Sequence, residues 1–137
     1  MNNYILVDTE NVSNYDVIRD FINDNEKYNI VLFKSNSSQS IKAKYWDVLF
    51  KENINTNMIT IVGTGKQNMD IQMAGYIGYL MKRNYETIKV FIVSDDNHFS
   101  NLLEFFKSLN EKLDIIHIKN KGKNADKCLT KVKCGGK

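Results

Sequence analysis

The chain has 137 residues, 42% of them hydrophobic and 26% charged, with a formal net charge of +3 and no proline. That length is one domain with room for a real core, and that balance is a soluble globular protein's. No apolar run approaches the roughly 18 to 20 residues of a membrane-spanning helix. Met1-Asn2-Asn3 lacks the basic start and apolar stretch of a secretion signal, so a cytoplasmic location is expected.

The first strand candidate, residues 3–8 (NYILVD), is apolar and β-prone until it leaves the core. There Asp8, Glu10 and Asn11 follow before any turn glycine. Residues 13–25 carry Val17, Ile18, Phe21 and Ile22 in an i, i+1, i+4, i+5 stripe that predicts a helix. A second strand is expected at 28–33 (YNIVLF) and a second helix at about 38–52, with Tyr45, Val48 and Leu49 turned inward. Within it, KAKYW (42–46) mixes cations with rings, as single-strand binders do. A third strand is read at 58–62 (MITIV) and a third helix at 68–83, where Ile71, Ala74, Ile77, Gly78 and Met81 share a face. The strand at 88–94 (IKVFIVS), a helix at about 97–110 and the strand at 113–118 (LDIIHI) complete the series.

Strand–helix alternation repeated four times predicts a three-layer α/β/α sandwich around a central, mostly parallel five-stranded sheet. One domain is expected over residues 1–118, followed by a basic tail, 119–137, with seven lysines against Asp126. Such an arm suits a polyanion, and equally a solvated tail that keeps the protein soluble. Cys128 and Cys134 lie in the tail without nearby histidines, which is not a zinc spacing.

In parallel sheets, ligands sit outside the carboxyl ends of the strands. Asp8 ends the first strand, Asp96 follows the fourth with Asp95 beside it, and Asp70 falls in the first turn of the third helix. Singly, each has an ordinary reading as a turn, cap or helix-start acid. Together, at one sheet edge, they would crowd like charges and destabilise the fold unless a cation enters. Oxygen ligands without His or Cys partners point to Mg2+ or Mn2+. IVGTGK (61–66) fails as a nucleotide-binding P-loop, because Thr60 stands where the first Gly belongs and Gln67 follows Lys66.

LVDTEN (6–11), GKQNMDIQMAGYIGYL (65–80) and FIVSDDNHF (91–99), in this order and spacing, resemble the PIN-like nucleases, particularly their NYN-type and bacterial branch. The resemblance covers about residues 3 to 118 and implies an α/β/α fold and a metal-dependent ribonuclease. It implies Asp8, Asp70 and Asp96 as the catalytic, metal-binding acids, and Asn11 as the amide that steadies the first acid or a metal-bound water. Ser94 takes the family's small-hydroxyl position beside Asp95, and Phe99 is its core-plugging aromatic. Lys66 and Gln67 stand where a cation and an amide could meet a phosphate, and Lys34 is a further candidate for nucleic-acid contact. The departure is His98, where relatives often carry a fourth acid; it is a ligand, a proton shuttle or an exposed helix-start residue. RNA is the expected partner ahead of DNA, and a homodimer is a further expectation because many relatives pair. The competing reading is a catalytically silent nucleic-acid- or protein-binding module on the same fold.

Overall fold

The computed structural model describes residues 2–12, 15–35, 41–63, 68–83, 87–96, 99–109, 113–119 and 129–130. Five parallel strands form the sheet: β1 (Asn2–Asp8), β2 (Tyr28–Lys34), β3 (Ile54–Thr60), β4 (Ile88–Val93) and β5 (Leu113–Ile118). A two-residue sixth strand, β6 (Leu129–Thr130), pairs antiparallel with β5 and brings part of the basic tail to the sheet. The strand order is β3-β2-β1-β4-β5-β6. Order therefore reverses between β1 and β4, the place where an open α/β sheet leaves a crevice at its carboxyl edge.

The inner strands are apolar on both faces because both faces are covered. One face packs Ile5, Val7, Ile30, Leu32, Phe91 and Val93 beneath the segments that follow β1 and β2. The other packs Leu6, Val31, Phe33, Val90 and Ile92 beneath α2 (Asn68–Arg83) and α3 (Phe99–Leu109). Each fully buried aliphatic side chain contributes about 1.5–3 kcal/mol, so the sheet is an unyielding platform for its exits. In α2 the buried stripe is Met69, Met73, Ile77 and Leu80, which corrects the face read from the sequence: Ile77 belongs to it, whereas Ile71 and Gly78 are exposed because the helix is turned so that its methionines meet the sheet.

Three local differences from the sequence reading have physical causes. The helix predicted at 13–25 is a 3-10 helix over Tyr15–Asp20, with residues 13–14 outside the described set. Its β-branched Val17 and Ile18 and the surrounding Asn and Asp residues are weak α-formers. The helix at 38–52 shrinks to a 3-10 turn, Ala43–Tyr45, running into α1 (Trp46–Leu49); residues 36–40 lie outside the described set. Tyr45, Val48 and Leu49 are buried there, whereas Trp46 is 55% exposed. Strand β3 begins at Ile54, four residues before the apolar run at 58–62, because it is an edge strand whose Asn55, Asn57 and Met58 are exposed. An edge strand needs no continuous apolar run.

Candidate active site

At the exit of β1, Asp8 is 0% exposed. Its Oδ1 accepts a hydrogen bond from the Glu10 backbone N–H at 3.2 Å, which caps the 3-10 helix Thr9–Asn11. The turn role expected of such a residue is therefore real, and it uses one carboxylate oxygen. The other, Oδ2, accepts the Ser94 hydroxyl at 3.0 Å. The next residue, Thr9, donates its hydroxyl to the Phe33 carbonyl at 2.8 Å, tying this exit to the end of β2.

Ser94 follows β4 directly and is also fully buried. While its Oγ–H serves Asp8, its Oγ accepts the Asp96 backbone N–H at 3.1 Å. One hydroxyl thus links two candidate acids across the β1/β4 reversal. The backbone of Ser94 is gripped by β5: its N–H donates to the Ile118 carbonyl at 3.1 Å, and its carbonyl accepts from His117 Nε2 at 2.8 Å. Burial pushes the His117 imidazole below its usual 6.5, with the bond to Ser94 opposing that shift, so the ring is neutral with its proton on Nε2. Asp95 and Asp96 are half-buried.

Asp70 lies in the first turn of α2, and its Oδ1 is cut off from solvent. The start of α2 is held at the exit of β3 by Gln72, whose side chain donates to the Val62 carbonyl at 2.6 Å and accepts from the Val62 N–H at 2.9 Å. Next to that clamp, Gly63 has φ +87, a conformation costly to a side chain. Lys34 closes β2 and gives its carbonyl to the Ile61 N–H at 2.9 Å. Asn11 belongs to the 3-10 helix after Asp8. Lys66, Gln67 and His98 lie outside the described residues.

In kind, the acids suit a hard dication, being oxygen donors at the carboxyl edge of a parallel sheet. In arrangement, the Asp8–Ser94–Asp96 linkage is assembled, and the described residues do not by themselves form a three-ligand cage. Among the described residues, no three His, Cys, Asp or Glu side chains are grouped so that they could hold a metal ion.

Two residues near the site escaped the sequence reading. His117 was legible only as the polar member of LDIIHI, an anomaly in an otherwise apolar strand. Tyr15 is buried, and its hydroxyl is pushed up to about 12, first by burial and then by the negative charge of Asp8 and by Tyr45. No residue spacing announces that proximity.

A family model described as PIN domain matches residues 2–112, which takes in β1 through α3 and both partners of the Asp8–Ser94 bond. The chain belongs to the PIN domain family. PIN domains are in general metal-dependent nucleases that act on nucleic acid, usually RNA, with Mg2+ or Mn2+. Comparison with curated proteins and with solved structures gives no match. Among the described residues of this PIN domain, no helix is long and apolar enough to cross a membrane.

Proposed function

We propose that this PIN domain is a ribonuclease of the NYN-type branch that hydrolyses phosphodiester bonds of single-stranded RNA in the cytoplasm. Asp8, Asp70 and Asp96 would hold Mg2+ or Mn2+, in part through the water shell that magnesium gives up reluctantly. The observation that carries the reading is the Ser94 hydroxyl joining Asp8 to the Asp96 turn at the reversal of strand order, in a chain of this family. When bound, the ion supplies an activated water and spreads the charge of the transition state.

The protein's own residues set the stage. Asp8 is immobilised through both oxygens before any ligand arrives, so little reorganisation is left for the reaction itself. The Ser94 proton is committed to Asp8, which makes Ser94 a strut and not a nucleophile. Lys34, Lys66 and Gln67 are the residues we assign to the substrate phosphates, with His98 and Asp95 flanking Asp96 and Asn11 supporting Asp8. The lysine-rich tail adds sequence-independent attraction for RNA.

A silent binding module on the same fold is the second reading, and the observation that favours it is the lack of a preassembled three-acid group among the described residues. Incubation with single-stranded RNA, single-stranded DNA and duplex, in Mn2+, Mg2+ and chelator, separates the two. The nuclease cleaves RNA only with the ion and loses that activity in Asp96→Asn. A protein that binds RNA but leaves every substrate intact under all these conditions is the silent module.

A further inference from the structure

We infer that His117 is a positioning residue for the active site, acting through Ser94; this rests on the nuclease reading above. His117 stands 1% exposed between Ile116 and Ile118 on β5, where an aliphatic side chain would bury apolar surface without a polar cost. The imidazole is held there by its Nε2–H bond to the Ser94 carbonyl at 2.8 Å, and the fully buried Phe99 ring meets it edge-on at 5.9 Å and 67°.

The consequence lies at residue 94. With its N–H bound to Ile118 and its carbonyl bound to His117, both peptide groups flanking the Ser94 α-carbon are fixed to β5. Fixing those peptides fixes the Cα–Cβ bond and so the point from which Oγ, held in its rotamer by its own two hydrogen bonds, reaches both Asp8 and the Asp96 N–H. The chain of restraint therefore runs from His117 to the Ser94 backbone, then to its hydroxyl, then to the two acids. The register supports it: Ile92 on β4 faces His117 on β5, so the imidazole reaches forward by two residues to the first peptide beyond the strand. Ser94 is the partner one step removed from the proposed ligands, a position that typically controls about 10–100-fold of affinity or activity, and His117 acts one step behind it with a correspondingly smaller effect.

The test uses His117→Gln, whose amide keeps an N–H donor near the Nε2 position, and His117→Leu, which keeps apolar bulk without the donor. Two readouts are taken on the full chain: kcat and KM for single-stranded RNA in Mn2+, and hydrogen exchange of the Asp96 backbone amide by NMR. The Leu variant is expected to lose up to about 10-fold in kcat at unchanged KM, less than Ser94→Ala loses, and to exchange the Asp96 amide faster, while Gln stays close to the parent. In a Ser94→Ala background, His117→Leu adds no further loss, since both act through one hydroxyl. If the Leu variant does not fold, His117→Asn, too short to reach the carbonyl, replaces it. A donor-less variant whose Asp96 amide exchanges at the parental rate overturns the inference, as does one that keeps full kcat in an active enzyme. If the parent protein cleaves no RNA, the nuclease reading fails, and the amide exchange alone decides whether His117 positions the turn.

Discussion

Ser94 donates its hydroxyl to Asp8 across 3.0 Å although 86 residues separate them in the chain, and neither side chain reaches solvent. Removing that hydroxyl in Ser94→Ala leaves the Asp8 Oδ2 atom without this donor and the Asp96 N–H without its acceptor. Loss of a partner at a buried polar atom costs about 1–3 kcal/mol, more when the atom is charged. Urea denaturation should therefore show an unfolding free energy lowered by at least that amount, read as a lower midpoint at unchanged slope. An unchanged midpoint would mean that this bond contributes nothing.

The same geometry separates two substitutions that look equivalent in the sequence. Asp8→Asn keeps one acceptor oxygen where two are in use, so either the Glu10 N–H or the Ser94 hydroxyl loses its partner. Asp96→Asn leaves its bond to Ser94 intact, because the backbone N–H makes it. Both variants should lose metal-dependent cleavage. Only Asp8→Asn should also lower stability, by about 1–2 kcal/mol, as read by thermal melting in chelator. Asp96→Asn is thus the cleaner probe of chemistry.

Fold and site were not equally legible in the sequence. Periodicity placed α2 at its observed bounds but turned its face: of the stripe read there only Ile77 is fully buried, Ile71 is 63% exposed, and Met69, Met73 and Leu80 join Ile77 in the core. It overstated the segments after β1 and β2, where packing onto the sheet is achieved by short 3-10 turns with little repeating pattern. It also missed the polar start of β3, whose outer edge has no need of apolar side chains. Of the linked candidates, Asp8 and Asp96 were readable because they stand at or just beyond strand ends, and Ser94 because the family resemblance assigns a small hydroxyl there. His117 and Tyr15 were not, because what they touch is set by strand order and side-chain packing, which leave no spacing signature.

Acid should expose the burial of His117. Its pKa is held below 6.5 in the folded protein by burial, whereas the unfolded chain takes up a proton near 6.5. As pH falls below about 6.5, the unfolded state binds more protons and stability declines until the folded-state pKa is reached. Above 6.5 both states are neutral and the effect vanishes. His117→Gln lacks this titration, so the difference in unfolding free energy between parent and variant should drift between pH 7 and pH 5 in the variant's favour. A constant difference over that window would show that burial does not depress the imidazole.

Alkali should report on Tyr15 and, through it, on Asp8. The Tyr15 hydroxyl is raised from 10.0 to about 12, by burial first and by the Asp8 charge second. Its contribution to stability is complete below pH 10, where both states hold the proton. That contribution is lost as pH rises from 10 through 12, because the unfolded chain releases its proton first. In Asp8→Asn the neighbouring charge is gone while the burial remains, so the tyrosinate absorbance of Tyr15 should appear at lower pH, though still above 10. Tyr15→Phe in the parent background identifies which titration belongs to this residue, since its tyrosinate signal disappears. If Asp8→Asn leaves the Tyr15 titration where it was, Asp8 is not charged beside it in the native protein. A carboxylate that is neutral at the exit of β1 could not be the primary anchor for a dication, so this titration tests the proposed site without measuring cleavage.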